Sequence, residues 1–163
     1  MLIVLCGTSS SGKTSLALAL QELAGRPLFH IEADRFAPTL LDEQRGDPEL
    51  HERAVLAMHE AIAAYGRSGL DAIVDGSLPT EPPLRDRCLD VLRGVPGTKV
   101  VAVRCSVAAL RKREASRPDR PAGWAEQQAA IVYEGVDFDA SVDTTVRSPK
   151  EAAGELLGRL FPA

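Results

Sequence analysis

The sequence predicts an α/β fold: a three-layer domain whose five-stranded parallel sheet is flanked by helices. Two observations carry this. Short apolar runs alternate with longer stretches whose apolar residues recur at three- and four-residue spacing, the pattern of strand–helix–strand units on a parallel sheet. The first apolar run also passes through a Gly- and Ser-rich loop straight into the first helical stretch, as a phosphate-binding turn requires. The 163 residues suit a single domain, 1–163, long enough for a real core.

The elements follow in order. "LIVLC" (2–6) reads as a buried strand. Residues 13–25 read as a helix with Leu16, Leu20 and Leu23 on one face and Gly25 as its stop. "PLFHIEA" (27–33) is a second strand, and 49–66 a helix with Val55, Met58, Ile62 and Tyr65 at helical spacing. "LDAIVDG" (70–76) is a third strand, 84–94 a helix, and 98–105 a fourth strand. Residues 106–117 form a helix with Ser106 as its N-cap, and 125–135 form another. A short fifth strand at 141–146 and a helix at 149–161 complete the series. The Pro-rich segments 79–84 and 117–123 read as loops within the domain.

Bulk composition narrows the function. Net charge is −4 with no acidic or basic run, which argues against a nucleic-acid or membrane surface. The amino end, "MLIVLC", carries no basic region and only six apolar residues, too few for a signal peptide or a membrane span. Three cysteines, Cys6, Cys88 and Cys105, form no CxxC pair, which fits a reduced cytoplasmic setting better than a disulfide framework. His30, His51 and His59 show no ligand spacing with Cys or acids, so they read as structural or surface residues.

Residues 7–14, "GTSSSGKT", match G-x-x-x-x-G-K-[ST]. Gly7 and Gly12 let the backbone curl so that successive N–H groups face an anion. Lys13 reaches the β- and γ-phosphates, and Thr14 offers its hydroxyl to Mg²⁺. The helix opening at Lys13 adds its dipole. The ATP-binding set is therefore Gly7, Ser10, Ser11, Gly12, Lys13, Thr14 and Ser15. No guanine-reading [NT]KxD stretch follows near the fourth or fifth strand, which disfavours a GTPase.

Ligands of open α/β sheets sit beyond the carboxyl ends of the strands. Asp34 follows the second strand there and Asp75 the third. A kinase acting on an alcohol needs a carboxylate to orient the hydroxyl and take its proton, which makes Asp34 the candidate base. Asp75 reads as the acid that serves Mg²⁺ together with Thr14, or that touches the acceptor. Glu32 alternates with Asp34 and ranks below it. Against these roles stand an N-cap or solvated acid for Asp34 and a turn residue in "DG" for Asp75. Arg113, Arg117 and Arg120 cluster near 113–124, the position of a short lid, with Arg117 and Arg120 as the stronger candidates to neutralise the transferred phosphoryl group. A solvated basic helix is the alternative.

Beyond the phosphate loop, "VRC" (103–105), "RE" (113–114), R-x-D-R-x-A-G (117–123), "QQA" (127–129), "EGVDFDASVDTT" (134–145) and Asp34 in "EADRF" make the chain resemble chloramphenicol phosphotransferase and its relatives, small P-loop kinases of the nucleoside-monophosphate-kinase-like fold. The resemblance spans roughly residues 1–155. It implies ATP- and Mg²⁺-dependent phosphorylation of a primary hydroxyl. Asp34 would be the general base, Lys13 and Thr14 would serve phosphates and metal, Arg117 and Arg120 the lid, and the segment Thr145–Pro149 would lie near the adenine. The chain departs from the family at 37–49, "APTLLDEQRGDPE", and at "DGSLPTEPPL" after the third strand. Both regions should flank the acceptor. The expectation is an O-phosphotransferase acting on a small-molecule hydroxyl, foremost an antibiotic such as chloramphenicol. A same-fold kinase of a sugar acid or nucleoside is the alternative, and a non-catalytic ATP-sensing module a further one. Oligomeric state is left open.

Overall fold

The computed structural model describes residues 1–35, 46–76, 78–116 and 123–161, Trp124 by its backbone alone. Five strands, β1 (Leu2–Cys6), β2 (Phe29–Glu32), β3 (Ala72–Asp75), β4 (Lys99–Arg104) and β5 (Ala140–Asp143), form one sheet in the order β2-β3-β1-β4-β5. Every neighbouring pair is parallel. Six helices join them: α1 (Lys13–Leu23), α2 (Pro48–Arg67), α3 (Pro82–Arg93), α4 (Val107–Glu114), α5 (Trp124–Ala129) and α6 (Pro149–Leu160).

Strand alternation builds the three layers. Leu2, Val4 and Cys6 of β1 pack with Ile62, Leu89 and Leu92 of α2 and α3 on one face. Ile3 and Leu5 pack with Leu16, Leu20 and Leu156 of α1 and α6 on the other. Truncating any such leucine to alanine costs about 2–5 kcal/mol, because transfer and cavity terms add. Among the described residues no helix is long and apolar enough to cross a membrane.

Several expected boundaries shift for local reasons. Helix α1 stops at Leu23, and Gly25 takes φ +64° just beyond it, the left-handed stop a glycine supplies. Leu23 itself is exposed, so the buried face is Leu16, Ala17, Ala19 and Leu20. Helix α2 begins at Pro48 because the Asp47 carboxylate accepts from Glu49 and Leu50 N–H. Tyr65 leaves the predicted apolar face and stacks edge-on with Phe29 at the surface. The Ser106 hydroxyl caps α4 by accepting from Ala109 N–H, as its position predicts. Helix α4 ends at Glu114, three residues short of the expected end.

The helix expected at 125–135 spans only Trp124–Ala129. Beyond it the chain tightens into turns, with Ile131 N–H donating to Gln128 O and Glu134 N–H to Ile131 O. Val132 is buried there and the Tyr133 hydroxyl donates to Val103 O. Tertiary docking thus overrides helical periodicity. Strand β5 ends at Asp143, whose carboxylate accepts from Thr145 N–H and turns the chain.

His59 is a core histidine on α2. Its Nδ1 donates to Val55 O at 2.8 Å, and burial lowers its pKa. The unfolded chain then takes up a proton that the buried ring resists, so this part of the stability is full above about pH 6.5 and is lost as pH falls below it. Thermal melts between about pH 7.5 and 5 should show this loss. The His59→Gln variant should flatten the slope; an unaltered slope would assign it to other groups.

Candidate active site

Sheet register brings the site together. Asp75 at the end of β3 pairs in register with Leu5 of β1 on one side and Glu32 of β2 on the other. Residues following these three positions must share one crevice at the carboxyl end of the sheet. A cavity of about 650 Å³ opens there, within the range of small-molecule sites. Its lining includes Ser9, Ser10, Gly12, Lys13, Thr14 and Ser15 of the loop and the start of α1, and Glu32, Asp34, Asp75 and Gly76 at and after the ends of β2 and β3. Arg113, Thr144, Arg147 and Pro149 line it as well. Asp34 therefore shares a cavity with Lys13 and Thr14.

The loop 7–14 has the local geometry that an anion site needs. Gly12 caps α1 at φ +93°, no side chain caps the helix, and its first turn carries no acid. The orphan N–H groups and the positive end of the dipole are thus left for a ligand. Ser10 adopts φ +60°, a strained setting for a residue with a side chain and one that collects at functional loops. The buried hydroxyls of Thr8, Ser10 and Ser11 have no hydrogen-bond partner among the described residues. Buried polar atoms are normally satisfied, and of these three residues Ser10 lines the cavity, where its hydroxyl fits a ligand rich in acceptor oxygens. Lys13 Nζ donates to Gly7 O at 2.9 Å and Thr8 O at 2.8 Å, tying the loop into a ring.

Gly7 and Ser11 stand behind the cavity wall. A Cβ on Gly7 would lie 2.5 Å from Val103 O and 2.9 Å from Ser11 Oγ. The loop can therefore seat against β4 only with glycine there. Gly7→Ala should cost about 1–3 kcal/mol by overpacking and weaken nucleotide binding. Urea unfolding and ATP titration check both, and unchanged values would mean the loop does not need this close approach.

Asp34 does not follow the strand directly. Strand β2 ends at Glu32, and Ala33–Arg35 make one 3-10 turn that carries Asp34 to the cavity as an exposed side chain. Glu32 lines the same cavity and pairs with Arg35 at 2.9 Å. Asp75 is buried, and its Oδ2 meets His30 Nε2 at 3.1 Å. His30 was not expected in the site. The signal that could have found it is its alternation with Glu32, which puts both side chains on one face of β2.

Arg113 does not point away as a solvated lid arginine. It donates to Thr144 O at 2.6 Å and to Ser10 O and Ser11 O at 3.3 and 3.4 Å. The Thr144 hydroxyl donates to Ser11 O at 2.6 Å. These bonds hold loop carbonyls outward and so help aim the amides inward. Gln128 accepts from Ser9 N–H at 2.7 Å. The buried Glu114 carboxylate accepts from Gly123 and Ala125 N–H, joining the end of α4 to the start of α5. Arg117 and Arg120 lie outside the described residues. Cys6 and Cys88 are buried, which pushes both thiols up to about 11 and leaves them inert.

The family model described as chloramphenicol phosphotransferase-like protein matches residues 1–160. A protein of Mycobacterium tuberculosis named "Putative O-phosphotransferase Rv2636" is 36% identical over 183 residues, covering 95% of this chain and 80% of that protein. The Deinococcus radiodurans tunicamycin resistance protein superposes with a TM-score of 0.72 at 19% identity, over 99% of this chain and 96% of that one. The Mycobacterium tuberculosis APS kinase CysC, solved with AMPPNP and APS, gives a TM-score of 0.70 at 16% identity, over 98% and 96% of the two chains. Both structures share the fold. With a match along almost its whole length, the chain belongs to the chloramphenicol phosphotransferase-like family and is a small-molecule kinase with the P-loop kinase fold.

Proposed function

We propose that this kinase transfers the γ-phosphoryl group of ATP to a hydroxyl of a small molecule, foremost an antibiotic such as chloramphenicol. The observation that carries the reading is the shared cavity, lined by Asp34, Lys13 and Thr14 together. The family match supports the acceptor class.

The acceptor hydroxyl gives its proton to the Asp34 carboxylate as its oxygen attacks the γ-phosphorus. The bond from that phosphorus to the β–γ bridging oxygen breaks, and ADP leaves. Lys13 turns from its loop carbonyls toward the β- and γ-oxygens, while the loop amides carry the rest of the phosphate charge. Arg117 and Arg120 are the sequence's candidates for closing over the transferred group. Thr14 and Asp75 would hold Mg²⁺, which neutralises charge on the phosphates when bound. Both residues line the cavity and offer the oxygen donors this ion takes. Among the described residues no group of three or more His, Cys, Asp or Glu makes a site of its own.

A metabolite acceptor such as a sugar acid or nucleoside is the second reading, favoured by the polar stretch 37–49 where the chain departs from the family. Mass spectrometry of reactions with ATP, Mg²⁺ and a panel led by chloramphenicol separates them. A phosphorylated antibiotic supports the first reading, and a phosphorylated metabolite alone supports the second. Bound ATP with no phosphorylated acceptor would replace both with an ATP-sensing module.

A further inference from the structure

Asp75 is seldom exposed, at 6% of its surface, yet it lines the cavity. Its neighbour His30 is almost as enclosed, with side-chain exposure of 10%. In the β2–β3 ladder His30 stands opposite Ile73, and Glu32 opposite Asp75. The His30–Asp75 contact therefore runs diagonally across two parallel strands, one side-chain step back from the crevice. A carboxylate can only accept, so Nε2 must carry the proton and donate it to Oδ2 at 3.1 Å. That bond fixes the carboxylate's rotation. It also takes up Oδ2 and leaves the other oxygen as the donor atom toward the cavity.

We propose that His30 is a positioning residue: it holds Asp75 in the orientation that serves the divalent cation of the bound nucleotide. The inference rests on the reading of the cavity as a nucleotide site and deepens it. Partners behind a metal-serving carboxylate typically change metal affinity by about 10- to 100-fold when removed. A bond that merely braces β2 against β3 would change stability and leave metal affinity alone. Burial favours the positioning role, since a carboxylate with little water around it depends on its few partners for orientation.

The test uses the full chain and Mn²⁺ as a paramagnetic stand-in for Mg²⁺. Water-proton relaxation gives the Mn²⁺ affinity of the protein–ATP complex, and calorimetry in EDTA gives the affinity for metal-free ATP. His30→Phe should weaken Mn²⁺ binding about tenfold while metal-free ATP binds within about twofold of wild type. His30→Gln keeps an N–H donor near the Nε2 position and should restore Mn²⁺ affinity to within about threefold. An unchanged Mn²⁺ affinity in a folded His30→Phe overturns the proposal and leaves the pair as a strand brace. Failure of Gln to rescue also overturns it. If His30→Phe does not fold, Asp75→Asn, which keeps the volume and an acceptor for His30, decides the point: unchanged Mn²⁺ affinity there removes Asp75 from the cation and His30 with it. A wild-type chain that binds no ATP with or without metal would instead overturn the nucleotide site itself.

Discussion

Asp34→Ala should lose phosphoryl transfer by about 2 to 4 orders of magnitude, the span that general-base catalysis covers, while still binding ATP. The split follows from position. Asp34 sits on the 3-10 turn after β2, outside the phosphate loop that carries Lys13 and Thr14. The Lys13 contacts to Gly7 O and Thr8 O that tie the loop are made without the Asp34 carboxylate. Asp34→Asn should behave like the alanine variant, since an amide keeps the shape but takes no proton. Single-turnover kinetics beside ATP calorimetry read the two effects separately. Normal turnover in either variant would remove Asp34 from the chemistry, and lost ATP binding would move it to the nucleotide.

Lys13→Ala should harm both binding and turnover. Its ammonium is, under the proposed function, the phosphate-loop cation, and it also bridges Gly7 O and Thr8 O, so its loss slackens the loop before any nucleotide arrives. A charged hydrogen bond is worth about 1.5–3 kcal/mol, which corresponds to roughly 10- to 100-fold in ATP affinity. Removal of one charge-stabilising donor typically costs about 10²–10³ in turnover. Lys13→Arg should not rescue, because a planar fork cannot replace a compact ammonium between two closely set carbonyls. Unchanged ATP affinity in Lys13→Ala would undo the phosphate-loop account.

These two candidates came from the sequence because each lies in a local pattern, and both line the cavity. Lys13 sits in an eight-residue motif between a strand and a helix, and Asp34 follows an apolar run where strand ends face ligands. The layer order was equally legible from the alternation of short and long apolar periods. What local pattern could not carry was anything set by register or docking. The His30–Asp75 contact joins residues 45 apart and exists because β2 and β3 are parallel neighbours. Glu114 figures in the sequence only within the "RE" pair, and nothing local showed that it is buried and accepts from two amides at the start of α5. Arg113 reads as lid in sequence and is loop brace in space, since the end of α4 lies against Ser10, Ser11 and Thr144. The stretch 130–135 keeps helical periodicity but yields to the docking of Val132 and Tyr133.

The central claim is that this chain moves the γ-phosphoryl group to an alcohol oxygen. The most direct measurement follows an isotopic label on the γ-phosphoryl group of ATP by mass spectrometry, with Mg²⁺ and the acceptor panel present. The account predicts label in the acceptor, one phosphoryl group per molecule, with ADP formed in equal amount and the rate of both lower by about 2 to 4 orders of magnitude in Asp34→Ala. Label found only in inorganic phosphate, or retained in ATP across a broad panel, would contradict it.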